Sequence, residues 1–138
     1  MKTSDFHYPV IRFYKEVFSV ISSEDQFGTC NLLAFKKGTL IGCLLVDSDG
    51  LACRIQSVKK LGLKGLCGGF DIIFLNPMLK IESIIDDTSF TMTVEDLRSR
   101  VLHAFNSWDG YESRGDFDEM KYGVMNGKSV ADIIGAVI

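Results

Sequence analysis

Thr39 to Val58 reads TLIGCLLVDSDGLACRIQSV, and this stretch decides the class of fold. Leu40 to Val46 is apolar at positions that would point to either side of a strand, as expected for a central strand covered on both faces. Asp47-Ser48-Asp49-Gly50 follows, a short polar break carrying the Gly that a tight hairpin turn requires. Leu51, Cys53 and Ile55 then alternate with Ala52, Arg54 and Gln56, the period-two pattern of a strand with one face toward a core. Upstream, Gly28 to Lys36 is another strand-length run, joined through Lys37-Gly38, so the spacing predicts a three-stranded meander. Downstream, Phe70 to Leu75 and Leu79 to Ile85 flank Asn76-Pro77; the second run alternates and closes at Asp86-Asp87. The expectation is an antiparallel sheet of about five strands.

Both ends of the chain have a different texture. Phe6, Val10, Phe13, Tyr14, Val17, Phe18 and Ile21 recur at spacings of three and four, which predicts an N-terminal amphipathic helix with Pro9 in its first turn. From Thr93 onward, Val94, Leu97, Val101, Ala104, Phe105 and Trp108 share a helical face, and Thr93 with Asp96 has the spacing of an N-terminal capping box. Asp116 with Glu119 and Ser129 with Asp132 repeat that spacing, and Asn126-Gly127 is a stop signal, so two to three C-terminal helices are expected. With 138 residues, 46% of them hydrophobic and 24% charged, the chain has the size and composition of one ordinary domain. The predicted class is α+β, in a single domain over residues 1–138.

Composition also narrows the partners. A formal net charge of −3 with no basic stripe argues against nucleic acid. No apolar run approaches the roughly 20 residues that span a bilayer, and the polar start lacks the apolar core of a secretory signal. A cytoplasmic protein with no membrane partner is therefore expected. Cys30, Cys43, Cys53 and Cys67 are read as reduced thiols, because a cytosolic protein with a core of this size does not need a cross-linked frame.

Motifs that carry chemistry are sparse. Gly62 to Gly69 is rich in glycine, yet it lacks the Gly-Lys-Ser/Thr of a P-loop and runs into a strand-like segment rather than a helix. It reads as an irregular entry into a strand. Cys67 with His103 as its base is the enzyme alternative, since a nucleophilic thiol needs an imidazole to form the thiolate. The cysteines are too far apart for a zinc site, and Asp47-Ser48-Asp49-Gly50 lacks the later oxygen ligands of a calcium loop. No cofactor or metal is expected.

One segment is distinctive. Asn106 to Tyr122 reads NSWDGYESRGDFDEMKY, with Asp109, Glu112, Asp116, Asp118 and Glu119 against Arg114 and Lys121, so the whole formal net charge of −3 resides there. Trp108, Tyr111, Phe117 and Tyr122 are interleaved with those charges. Acids steer a basic partner and aromatics supply the desolvated contact, so Trp108, Asp109, Tyr111, Glu112, Asp116, Asp118 and Glu119 form a candidate protein-binding surface. The competing reading is that Asp116, Asp118 and Glu119 only favour a helix start, with Trp108 and Phe117 in the core.

The order of elements and the C-terminal stretches AFNSWDGYESRGDFDEM and KSVADIIGAVI resemble the small cytoplasmic immunity proteins of bacterial contact-dependent inhibition and polymorphic toxin systems. The likeness rests on Ala104 to Ile138, about a quarter of the chain. It implies a non-enzymatic protein that binds and neutralises a toxin domain, often a nuclease. A homodimeric regulatory or ligand-binding scaffold is the third reading.

Overall fold

A computed structural model describes residues 1–63 and 78–138. The class is α+β, with an antiparallel sheet as expected, but seven strands rather than about five are found among the described residues. They are β1 (Val10–Tyr14), β2 (Val17–Ile21), β3 (Thr29–Asn31), β4 (Leu44–Val46), β5 (Leu51–Leu63), β6 (Met78–Ile85) and β7 (Phe90–Thr91). The order across the sheet is β2-β1-β4-β5-β6-β3, with β7 paired to the start of β5. The predicted strand Phe70 to Leu75 and most of the Gly-rich segment, including Cys67, lie outside the described residues.

The central hairpin forms, but its first strand covers only Leu44–Val46 of the predicted run Thr39 to Val46, and the three-stranded meander does not form, because β3 pairs with β6 rather than with β4. β4 lies between β1 and β5, and Leu44, Leu45 and Val46 are all buried. Val46 pairs with Ala52 across the Asp-Ser-Asp-Gly turn, where Asp47 is buried. Its Oδ1 accepts the N–H groups of Asp49 and Leu51, each at 2.9 Å, and its Oδ2 accepts that of His7 at 3.1 Å. Gly50 adopts φ +88°, and a Cβ there would lie 3.2 Å from the Met92 carbonyl, so the turn requires glycine. β5 is long and carries register shifts between Ile55 and Ser57 and between Lys60 and Gly62, which bend a strand and increase its twist.

The N-terminal helix does not exist. Phe6 to Ile21 contains a hairpin instead, with Val10 opposite Ile21 and Tyr14 opposite Val17 around Lys15 and Glu16. Val10, Ile11, Val17, Val20 and Ile21 are β-branched, and neighbours Val10 and Ile11 are both fully buried, facing opposite sides of the sheet. A strand buried on two faces mimics a three-and-four spacing. Gly28 to Lys36 is likewise not one strand: β3 covers only Thr29–Asn31, and α1 (Leu32–Lys37) follows. Asn31 caps that helix by accepting the Ala34 N–H at 2.7 Å, and Gly38 closes it at φ +65°.

The C-terminal third is helical, as expected: α2 (Val94–Ser107), α3 (Phe117–Asn126) and α4 (Val130–Ala136). Thr93 Oγ1 accepts the Asp96 N–H and Ser129 Oγ accepts the Asp132 N–H, each at 3.1 Å, so two of the three capping signals are realised. The third is not. The Asp116 side chain makes no cap bond and is held instead by Arg114. Arg98 on α2 donates to the Val124 and Gly127 carbonyls, tying down the end of α3.

Two large cores result, one on each face of the sheet, and a smaller cluster of Cys30, Leu79 and Ile81 adjoins the second through Leu40 and Val58. Ile11, Phe13, Leu44, Val46 and Ala52 pack against Leu97, Val101, Phe105, Val124 and Ile133 of the helices. On the other face, Val10, Ile21, Leu45, Cys53, Ile55 and Ile85 meet Phe6 and Phe27. Residues of β2 and β3, the two ends of the strand order, line one pocket, so the sheet curls around that second face. Among the described residues no helix is long and apolar enough to cross a membrane.

Candidate functional site

The acidic aromatic segment is positioned by an aromatic cluster. Tyr111 stacks on Phe18 of β2 with centroids 4.9 Å apart and meets the edge of Phe105 at 5.4 Å, and Phe117 meets Phe105 at 5.3 Å. The Tyr111 hydroxyl accepts the Phe18 N–H at 2.9 Å and donates to its carbonyl at 3.3 Å. β2 is an outer strand, so this hydroxyl stands where a further strand's backbone would be. Burial pushes the Tyr111 pKa up, partly offset by the Phe18 backbone bond.

These contacts sort the candidate residues. Tyr111 belongs to the core and fixes the segment from beneath. Trp108 does not share the buried face predicted for α2: it is the residue after the helix, in extended conformation and 55% exposed. Its indole meets Tyr111 edge-on at 4.9 Å and lies over Gly110, where a Cβ would come within 2.2 Å of the ring. Asp109 opens the 3₁₀ turn Asp109–Tyr111, Glu112 follows it, and Asp118 and Glu119 occupy the first turn of α3. All four are exposed, and among the described residues none of the four carboxylates has an ion-pair partner. Asp116 differs, because Arg114 binds both its oxygens at 3.0 Å and offsets its charge.

Two large exposed residues on α3 lie beyond the candidate set. Tyr122 is 71% exposed and Met125 is also exposed. With Asp118 they fall at spacings of four and three along α3, on one helical stripe. Tyr122 was legible as part of the segment; the exposure of Met125 depends on which face of α3 meets α2.

The enzyme alternative finds no assembled site among the described residues. His103 is exposed and its Nε2 lies 3.3 Å from Glu16 on the β1–β2 turn, while Cys67 lies outside the described residues. Cys30, Cys43 and Cys53 are buried free thiols, and burial pushes their pKa values up, that of Cys53 to about 11. Raised thiols are poor nucleophiles at neutral pH. Among the described residues no group of His, Cys, Asp and Glu is arranged to hold a metal ion.

A second feature went unread in the sequence. An open-mouthed pocket of about 470 Å³ lies on the curled face of the sheet, with Arg12 in its lining. On β1 the inward positions run Val10, Arg12, Tyr14, paired with Ile21, Ser19 and Val17 of β2. The N-terminal run read as a helix makes Arg12 a polar-face residue; as a strand it turns Arg12, half-buried, toward the pocket. Comparison with protein-family models, curated proteins and solved structures finds no significant match to this chain.

Proposed function

We propose that this chain is a non-enzymatic, cytoplasmic protein-binding module, an immunity protein that occupies and neutralises a basic toxin domain through the face carrying Trp108, Asp109, Glu112, Asp118, Glu119 and Tyr122. The observation that carries the reading is the pairing of two large exposed aromatics with four uncompensated carboxylates on a frame fixed by Tyr111 and Phe117. Fixed aromatics lose little side-chain freedom on docking, and unpaired acids steer a cationic surface toward them. Tyr111 and Asp116 have supporting places, one as the anchor beneath Trp108 and the other as the partner of Arg114.

The test begins with capture of the partner from the native host and its identification as a basic domain whose toxicity the chain relieves. Replacing Asp109, Glu112 and Asp118 together with Lys is then expected to cut the association rate about tenfold or more at low ionic strength and to remove most of its salt dependence. Trp108→Ala or Tyr122→Ala is expected to act on the dissociation rate, by about 2 kcal/mol where the ring is a central anchor. A triple variant that binds with unchanged rate and salt response refutes the assignment of this face.

A further inference from the structure

The interior pocket presents a different chemistry from the acidic face, and the two stand independently. Arg12 is half-buried, and among the described residues it has no hydrogen bond and no ion pair. The titratable groups that act on its charge are the thiols of Cys43 and Cys30, both pushed up by burial. A guanidinium partly withdrawn from water without a partner carries a desolvation cost, and among the described residues no acceptor offsets it. Leu or Met at this strand position would continue the apolar row begun by Val10.

The other polar groups of the pocket also donate. Gln26 Oε1 is already occupied by the Ser22 N–H at 2.8 Å, and Asn31 Oδ1 by the Ala34 N–H at 2.7 Å, which leaves both side-chain NH₂ groups free to donate. Ser19 stands opposite Arg12 across the hairpin, and no carboxylate lines the pocket among the described residues. Leu40 and Met78 supply apolar wall. The volume falls in the range of small-molecule sites.

We infer that this pocket binds a small monocarboxylic acid with an apolar body, its carboxylate held by Arg12 and its body against Leu40 and Met78. A carboxylate matches the planar fork of one guanidinium in bidentate fashion. A phosphate dianion would call for a second cation, and the remaining donors are neutral.

The experiment titrates the intact chain with hexanoate, octanoate and 4-phenylbutyrate, with their primary amides, and with phenyl phosphate. It reads Tm and the Arg12 Nε–H resonance. At least one carboxylate is expected to give a saturable rise in Tm and to shift that resonance. Its amide should bind at least about tenfold more weakly, as should Arg12→Met toward the acid. Ligand-free Arg12→Met should keep or raise its own Tm, because the change removes an unpaired charge. Ser19→Leu, at an exposed edge position directly opposite Arg12, keeps the guanidinium but fills the space beside it, and should abolish binding even if the Arg12 variant folds poorly. The inference is overturned if no acid binds, if acids and amides bind equally, if Ser19→Leu or a folded Arg12→Met retains full affinity, or if phenyl phosphate binds more tightly than every carboxylate.

Discussion

Asp47→Ala is expected to be among the most damaging single changes in this protein. The Asp47 carboxylate is 2% exposed and accepts three backbone N–H groups, two within its own turn and one from His7 in the segment leading into β1. Hydrogen bonds to a charged group contribute about 1.5–3 kcal/mol each, and orphaned buried donors add their desolvation cost. The three bonds are not additive, since Asp49 lies at the surface and water can reach its N–H once the side chain is gone. Two fully lost bonds give about 3–5 kcal/mol, a large part of the roughly 5–15 kcal/mol that holds an ordinary domain together. Asp47→Asn keeps an oxygen for the turn but turns an NH₂ toward the His7 N–H or the reverse, so about 1.5–3 kcal/mol is expected. Guanidinium unfolding followed by circular dichroism measures both, with Asp49→Asn, an exposed neighbour, as the control within about 0.5 kcal/mol of the parent. An Asp47→Ala loss below about 1 kcal/mol would refute the argument that this carboxylate ties β1 to the β4–β5 hairpin.

Two further outcomes follow from particular groups. Burial, and secondarily Glu24, pushes the Tyr8 pKa up to about 12 while its hydroxyl donates to the Thr3 carbonyl at 2.8 Å; stability is therefore full below about pH 10, where the unfolded tyrosine ionises, and falls as pH rises toward 12. Unfolding at pH 9 and pH 11.5 should show Tyr8→Phe losing less stability than the parent across that window, and equal losses would remove Tyr8 as the cause. Gly110→Ala places a methyl into the space of the Trp108 ring, so the indole must leave the Tyr111 edge; because Trp108 is the only tryptophan and already half exposed, its emission should shift while stability changes by less than about 1 kcal/mol, and an unchanged spectrum would show that the ring is not held over Gly110.

Legibility in the sequence tracked how local the deciding interaction is. The β4–β5 hairpin, the Thr93 and Ser129 caps and the stop at Asn126-Gly127 depend on residues within four positions of one another, and they form as predicted. The β1–β2 hairpin escaped because its turn is Lys15-Glu16 rather than a glycine pair; Lys15 sits at φ +53°, a conformation a lysine gives no warning of. α1 was signalled by Asn31 and Gly38, but apolar continuity through Leu32-Leu33-Ala34-Phe35 masks a helix of six residues. The Asp116 cap failed for a local reason too: Arg114, two residues away, offers the carboxylate a bidentate partner that the helix N–H groups cannot match.

At the candidate site the undecided question was which aromatic goes inside, and that is settled at long range. Trp108 and Tyr111 are three positions apart with similar apolar surface, yet only tyrosine carries a hydroxyl able both to accept the Phe18 N–H and to donate to its carbonyl. The outer edge of β2 therefore selects Tyr111 and leaves Trp108 over Gly110, facing outward. The same strand turns Ser19, the next residue, into the pocket beside Arg12. One five-residue strand thus supports the helical face through Phe18 and walls the anion pocket through Ser19. A change at Phe18 would disturb both and report on neither. Tyr122, outward on α3, and Ser19, inward on β2, each touch one face alone, and that is why loss of partner binding in Tyr122→Ala and loss of acid binding in Ser19→Leu can be assigned separately.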